Sequence, residues 1–416
     1  MLFGSSGIRR RYDLALAELA LSLGSGLAAC ASDVVVGTDT RTSSPILADA
    51  AISGLLSGGT RVVFGGIAPS PTVAYAARAF DAGLMVTASH NPEEYNGLKV
   101  FNPDGSSFTP PQQEALEARM GDPRGKGWEC QGNLEEADIL SGHREAILGK
   151  REVSRDLTAV IDCGNGAGSV ITPDLLSAMG IGTITLNCTT SGHFARPSEP
   201  LEEGLGYVAE MVRGSSADCG VVHDGDADRM MGFDGRGRYI DGDRLMVLFA
   251  RYLDAAKVVT TMDASMIIDD VAEVQRTPVG DTYVSTRLRE WGDFGGEPSG
   301  AWIFPGHSFC PDGIYAAALF CEMVSEWDIA GELDRIPRYP IVRESRHCSD
   351  APGVMKRLGA ASPTDGIRRE EDDGWFLIRA SGTEPKVRIT AEGKTGQAAK
   401  RLAEKGREML RRAESA

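Results

Sequence analysis

Short apolar runs alternate with amphipathic stretches along most of the chain. "DVVVGTDTR" precedes a helix-like "SPILADAAISGLLSGG"; "RVVFGG" and "SPTVAYAARAF" follow, then "GLMVTASHNP". Unbroken apolar runs bounded by turn residues predict buried strands, and a spacing near 3.6 predicts helices. The order is βαβαβ, which predicts a parallel sheet whose strand ends share one edge.

The pattern restarts after a charged, Gly-rich interval from Gly121 to Gly149. "TAVIDCGNGAGS" leads into "ITPDLLSAMG", "GTITLNC" and "ADCGVVHDGDADR". It restarts again with "RLMVLFARYL", "KVVTTMDAS", "MIIDDVAEV" and "EVQRTPVGDTYV". From about Pro340 the chain becomes more charged, with "GWFLIRASGTEPKVRITAEG" as two strands around a loop and "QAAKRLAEKGREMLRRAESA" as a closing helix. The expected fold class is α/β: three successive mixed α/β domains (residues 1–150, 151–241 and 242–340) and a smaller C-terminal α+β domain (341–416).

Composition narrows the partners. At 416 residues the chain is too long for one compact core. Its 59 acidic residues exceed its 43 Lys and Arg, for a net charge of -16. Such a field disfavours nucleic acid and anionic membrane surfaces. It tolerates a phosphorylated small molecule if cations cluster locally. Eight Cys occur without a CxxC pair, which predicts reduced thiols and a cytoplasmic location. "RRRYDLALAELALSLGSGLAACA" imitates a lipoprotein signal. However, Asp13 and Glu18 interrupt it, and Leu14, Ala17 and Leu21 keep helical spacing, so a helix is expected. No other segment approaches the ~20 apolar residues that span a bilayer. A homodimer is an open expectation, because the sequence does not set oligomeric state.

Three loops suggest chemistry. In "HDGDADR", Asp224, Asp226 and Asp228 alternate on a tight loop after an apolar strand. Carboxylates that close repel unless they share a hard cation, and oxygen ligation favours Mg2+. An EF-hand is excluded, since Arg229 holds its sixth position and Gly235 its twelfth. In "RASGTEPKVRI", Arg379, Ser381, Gly382 and Thr383 form a polar loop suited to a phosphate dianion, with Lys386 and Arg388 beyond. A hairpin turn with incidental cations is the plain alternative. In "GGEPSGAWIF", Glu297 and Ser299 suit sugar hydroxyls, although a bare turn explains that loop equally well. "DCGNGAGS" fails the dinucleotide fingerprint because Ser169 takes the third Gly position. Gly164, Gly166 and Gly168 are therefore expected to serve strand-to-helix packing.

Ser89 and His90, in "TASHNP", raise the possibility of a hydrolase dyad. Neighbours on an extended strand point to opposite faces, which separates the pair, and no GxSxG elbow surrounds Ser89. A Ser on a Pro-fixed turn at a strand end, with Lys99 ten residues on, better suits a phosphoryl carrier facing a metal.

Together the ordered motifs "FGSSGIR", "VGTDTR", "TASHNP…YNGLK", "DCGNGAG", "DGDADR", "VGDTYV", "GEPSG" and "RASGTEP" resemble the α-D-phosphohexomutase superfamily over the whole chain. The resemblance implies four domains around a central cleft and a phosphoryl group on Ser89. It implies Mg2+ between that phosphate and Asp224, Asp226 and Asp228. A sugar phosphate would accept the phosphoryl group, giving a hexose 1,6-bisphosphate that reorients and returns its original phosphate to Ser89. Glu297 and Ser299 would hold sugar hydroxyls, with Thr277, Gly280 and Asp281 on a substrate-side loop. Arg379, Ser381, Gly382, Thr383 and Arg388 would hold the non-reacting phosphate. Arg9, Lys99 and Arg229 match cations near the reacting phosphate, and His90 would orient the carrier loop. The four domains would carry, in order, the phosphoserine, metal, sugar and phosphate loops.

The chain departs from the pattern at Arg10, at Pro278, and at Ala301, where many relatives carry His; His307 is a candidate replacement. "GEPSGAWIF" and "RASGTEP" are most similar to archaeal-type phosphoglucosamine mutases. The alternatives are a phosphomannomutase/phosphoglucomutase, a Mg2+-dependent phosphatase and a non-catalytic sugar-phosphate-binding protein.

Overall fold

The computed structural model describes residues 2–4, 6–121, 125–360, 366–380 and 386–415. The βαβαβ unit is present: strands Asp33–Thr38, Arg61–Ile67 and Ala82–Val86 run parallel, joined by helices Ser44–Ser57 and Ser70–Ala76. Val34, Val35 and Val36 are all buried. Both faces of this sheet are covered, which is why the apolar run is unbroken instead of alternating.

Three further strands complete that sheet without announcing themselves in the apolar pattern. Tyr95–Phe101 returns antiparallel beside Ala82–Val86, Ile8–Arg11 pairs with it, and Leu134–Glu136 forms the opposite edge. The last lies in the charged, Gly-rich interval from Gly121 to Gly149. All three of its residues are exposed, so no period-2 signal exists. Helix Leu140–Leu148 follows it.

The signal-like N-terminal stretch is helix Leu14–Ala28, capped by Asp13, whose carboxylate accepts from the Leu16 amide at 2.9 Å. The helix is the expected one, but the Leu14, Ala17 and Leu21 spacing that marks it is not its buried face. Leu16, Ala20, Leu23 and Leu27 are inside with Ala17, whereas Leu14 and Leu21 face solvent. Both stripes have helical spacing. The choice is made by Gly24 and Gly54, where the helix meets Ser44–Ser57 backbone to backbone. A Cβ at Gly24 would lie 2.0 Å from the Ala51 carbonyl oxygen, and one at Gly54 2.2 Å from that of Leu21.

In the second domain, Thr158–Asp162 lies between parallel Gly182–Leu186 and Cys219–His223, and Met230–Asp234 and Tyr239–Ile240 add antiparallel. In the third, Lys257–Thr261 lies between parallel Glu273–Thr277 and Phe294–Gly296, with Trp302–Ile303 at the edge. These two domains share one core. Helix Gly313–Glu326, buried along nearly its whole length, carries that core from Ile161 and Met230 to Phe294 and Trp302. A helix apolar on all sides must be enclosed on all sides.

The C-terminal sheet is antiparallel, in the order Ile341–His347, Lys386–Gly393, Gly374–Ala380, Ile367–Glu371. The two expected strands are its centre. Leu402 and Leu410 of helix Gly396–Ser415 cover Phe376, Ile378 and Val387. The outer strands escaped the reading because edge strands are polar. The fold class is the expected one: three mixed α/β domains and a smaller C-terminal domain. Among the described residues no helix is long and apolar enough to cross a membrane, and all eight cysteines are unpaired.

Candidate active site

Strand Ala82–Val86 delivers Ser89 onto a turn, and the turn corrects the extended geometry expected there. Ser89 has φ 50°, the left-handed region, which costs a non-Gly residue about 1–2 kcal/mol. The Ser89 amide donates to Thr87 Oγ1 at 2.8 Å. One buried side chain holds the rest of the loop. Arg41 is 1% exposed, and its guanidinium makes five bonds. Nε donates to Asp39 Oδ2 at 2.9 Å, Nη1 to the carbonyls of Pro92 (2.6 Å) and Tyr95 (2.9 Å), and Nη2 to those of Ser89 (2.8 Å) and Asn91 (2.7 Å). Asp39 also accepts from the hydroxyls of Ser44 and Thr87. The "VGTDTR" motif carried this clamp, but nothing in its spacing told which loop the Arg would reach.

The turn brings His90 Nδ1 to 3.4 Å from Ser89 Oγ, so the two side chains are not separated as strand geometry suggested. The dyad fails for another reason. Arg229 Nη2 donates to His90 Nδ1 at 2.8 Å, which occupies the lone pair a base would use. Burial, then the charges of Arg229 and Arg9, push the imidazole pKa down to about 2, so His90 is neutral and oriented.

Ser89 Oγ instead donates to Asp224 Oδ2 at 2.9 Å, across from the first domain to the second. Strand Cys219–His223 ends at the aspartate loop, where ligand oxygens of Asp224, Asp226 and Asp228 lie within 4.8 Å of one another. Lys99 Nζ bridges Asp226 Oδ2 (2.7 Å) and Asp228 Oδ2 (2.6 Å). Ser70 Oγ, unmarked in the sequence, donates to Asp226 Oδ2 at 2.5 Å. Burial and the neighbouring Asp228 and Asp226 raise the Asp224 pKa well above the usual carboxylate range. Burial opposes ionisation of Asp226 too, but Lys99 outweighs it and holds that carboxyl low. Burial likewise works against the Lys99 charge, and Asp226 and Asp228 overcome it, raising the ammonium pKa.

The two loops dock main chain to main chain. A Cβ at Gly225 would sit 2.7 Å from the Ser89 carbonyl oxygen. Gly166 packs the same way, its Cβ position 2.6 Å from the Gly225 carbonyl oxygen. The "DCGNGAG" glycines are thus packing residues, but Gly166 and Gly168 are pressed against the aspartate strand and loop. The expected strand-to-helix contact is not what makes them tight. Arg229 Nη1 pairs with Glu199 at 2.9 Å, and Arg9 Nη2 donates to Ser6 Oγ at 3.1 Å.

In the third domain Glu297 Oε1 accepts the Gly280 amide at 2.7 Å, and Ser299 Oγ donates to Glu297 Oε2 at 3.4 Å. Asp281 opens helix Asp281–Leu288 and accepts from Ser107 of the first domain at 3.1 Å. Thr277 is buried and its hydroxyl bonds the Pro278 carbonyl. The predicted substrate loop and sugar loop are therefore one structure. Burial, then Asp281, push the Glu297 pKa up to about 7, while Arg229 pulls it down. Ala301 pairs with Arg229 through the main chain. His307 does not stand in for a His at Ala301. It is buried against Tyr75, His143, Tyr315 and Asp312, none of them a predicted site residue.

Arg379 and Arg388 are direct partners on adjacent strands, and Arg379 Nη2 lies 3.9 Å from Asp263 of the third domain. Ser381, Gly382 and Thr383 lie outside the described residues.

The donor set fits a hard divalent ion. Asp226 Oδ1 and Asp228 Oδ1 are buried without a hydrogen-bond partner, beside a third carboxylate already bonded to Ser89. Buried carboxylate oxygens without a hydrogen-bond partner are the donors a hard divalent cation takes.

Comparisons with known proteins agree with this layout. The four phosphoglucomutase/phosphomannomutase domain families match in order: alpha/beta/alpha domain I at residues 1–124, II at 141–237, III at 241–336 and the C-terminal domain at 342–409. The chain is 44% identical to a probable phosphoglucosamine mutase of Methanocella arvoryzae, covering 99% of this chain and 98% of that one. It superposes on a phosphoglucomutase/phosphomannomutase family protein of Burkholderia thailandensis with TM-score 0.85 at 26% identity, covering 99% and 97% of the two chains. It also shares its fold with an N-acetylphosphoglucosamine mutase of Aspergillus fumigatus, solved with GlcNAc-6P and magnesium (TM-score 0.61, 17% identity, 99% and 96% covered). With four domain families in order and a full-length relative at this identity, the chain belongs to the phosphoglucomutase/phosphomannomutase family of the α-D-phosphohexomutase superfamily.

Proposed function

We propose that Ser89 is the phosphoryl carrier of this phosphosugar mutase, and that glucosamine phosphate is its substrate. The observation that carries the first part is the 2.9 Å bond from Ser89 Oγ to Asp224 across two domains, beside the unpartnered oxygens of Asp226 and Asp228. The relatives named phosphoglucosamine mutase support the second, at 37–44% identity over nearly the full chain.

From phosphorylated Ser89 the Oγ–P bond breaks as the free hydroxyl oxygen of the sugar bonds phosphorus, and that hydroxyl's proton is in net exchange left on Oγ. The resulting 1,6-bisphosphate turns over in the cleft. The reverse transfer from its other end restores phospho-Ser89 and leaves the isomer. During that return Ser89 Oγ bonds phosphorus as the sugar O–P bond breaks, and the proton that leaves Oγ, which points at Asp224, is in net exchange taken up by the departing sugar oxygen. Arg229, Arg9 and Lys99 supply positive charge around the moving group. Asp224, Asp226, Asp228 and the carrier Ser89 would hold Mg2+, which when bound neutralises charge on the phosphoryl oxygens. Glu297 and Ser299 accept and donate to sugar hydroxyls, with Thr277, Gly280 and Asp281 shaping the wall beside them. Arg379 and Arg388, with Ser381, Gly382 and Thr383, bind the phosphate that is not moving. The free thiols support a location in the reducing cytoplasm.

The test is to incubate the protein with Mg2+, a trace of hexose 1,6-bisphosphate, and glucosamine, mannose, glucose or N-acetylglucosamine phosphate in turn. Fastest isomerisation of glucosamine phosphate is expected. Preference for mannose or glucose phosphate would overturn the substrate assignment. Release of inorganic phosphate without isomer would replace the mutase with a phosphatase, and binding without turnover would leave only a sugar-phosphate-binding protein.

A further inference from the structure

A second cluster of metal-ligand side chains lies where helix Leu140–Leu148 meets the third domain, sharing no residue with the carrier site. Asp312 caps helix Gly313–Glu326, its Oδ1 accepting the Tyr315 amide at 2.8 Å. Its Oδ2 points the other way, hydrogen-bonded to His143 Nε2 at 3.0 Å and 3.4 Å from His307 Nε2. His143 stands on helix Leu140–Leu148 and bonds Thr72 Oγ1 of the first domain through Nδ1 at 2.9 Å. Both imidazoles are essentially sealed from solvent, at 0% and 1% exposure. Yet neither nitrogen of His307 has a hydrogen-bond partner.

Native interiors seldom leave both nitrogens of a buried imidazole unpaired. The separations suit a bound ion. Ligand atoms about 2.1 Å from a tetrahedral ion stand about 3.4 Å apart, and the two nitrogen-to-oxygen separations here are 3.0 and 3.4 Å. All three ligand atoms lie within 4.8 Å of one another. Two imidazoles and one carboxylate suit a zinc-class ion and suit Mg2+ poorly. His143 already has the outer partner that fixes a ligating ring, the Thr72 hydroxyl.

We propose that His143 Nε2, His307 Nε2 and Asp312 Oδ2 form a binding site for a zinc-class divalent ion. The ion fastens helix Leu140–Leu148, packed on the first domain through Thr72, to the helix that carries the shared core of the second and third. It is a structural site, because its ligands are buried and none of them belongs to the carrier site.

The probe is Co2+, titrated into the full chain after chelator treatment and with excess Mg2+ filling the carboxylate triad. One equivalent should develop the strong visible absorption of four-coordinate Co2+, and Zn2+ should displace it while raising the melting temperature. His307→Gln should abolish the absorption. Thr72→Val should keep it and weaken affinity by about 10-fold, as loss of an outer partner does. No such absorption in the unmutated protein would overturn the proposal, as would absorption undiminished by His307→Gln. The unmutated protein's spectrum decides even if the histidine variant fails to fold.

Discussion

Arg41→Met should release the carrier loop while leaving the rest of the fold in place. The substitution strips five hydrogen bonds at once and leaves Asp39 buried without its counter-charge. Breaking one partner out of a buried ion pair costs about 3–5 kcal/mol. The freed carbonyls of Pro92, Asn91 and Tyr95 add less than their full about 1–3 kcal/mol each, because their bonds to Arg41 are only part-buried and water can replace them. The Ser89 carbonyl keeps Ser198 Oγ at 3.1 Å. A net penalty of about 3–5 kcal/mol confined to the loop speeds local amide exchange by about 10^2- to 10^4-fold. Hydrogen exchange reads this at residues 87–97, where the Asn91 and Tyr95 amides bond within the turn. Helix Gly313–Glu326 is the internal control. Turnover should fall about 100-fold, as expected for a reacting oxygen displaced by an ångström. Arg41→Lys keeps the charge near Asp39 but lacks the planar fork that reaches four carbonyls, so it should fall between. Wild-type exchange at 87–97 in Arg41→Met, or full turnover, would refute the clamp.

Three other substitutions probe the same cleft. Intact mass should show a phosphoryl adduct on the purified protein that Ser89→Ala lacks; an adduct surviving the change would move the carrier elsewhere. Lys99→Met frees Asp226 and Asp228 from their ammonium bridge, so calorimetry should find Mg2+ bound about 10-fold tighter while phosphoryl transfer slows. Equal or weaker Mg2+ binding would mean that lysine and metal do not compete for those oxygens. With the Glu297 pKa raised to about 7, its carboxyl is protonated below that pH and loses acceptor capacity for sugar hydroxyls. The kcat/KM profile should therefore fall on the acid side with a midpoint near 7, and Glu297→Gln should remove that limb. A limb persisting in the variant would belong to the substrate phosphate, which titrates near 6.

Much of the fold was legible because local patterns and packing agree. Val34 to Val36 read as a buried strand and are buried on both faces; Asp13 marks the start of a helix and caps it. The unread elements are those whose residues carry no periodic signal, such as the exposed edge Leu134–Glu136. Helix Leu14–Ala28 was legible, but its spacing marks two stripes alike, and contact with Gly54 chose which one is buried. At the site, the aspartate triplet, Ser89 and Glu297 stand out as unusual residues at strand ends. Arg41, Ser70 and Glu199 do not, since their partners lie on other loops or in other domains.

By itself the chain's sequence determined which residues end strands in polar loops and in what order the four domains follow. Those are local properties, set by apolar periodicity and turn chemistry within short windows. Only the tertiary structure decided that Ser89 turns into left-handed backbone and bonds Asp224. It likewise decided that His90 surrenders its lone pair to Arg229 and that Lys99 bridges two aspartates. Each of these depends on side chains separated by more than a hundred residues, brought together when the first two domains dock. Distances and pKa values at the site follow from that docking, and no pattern along the chain encodes it.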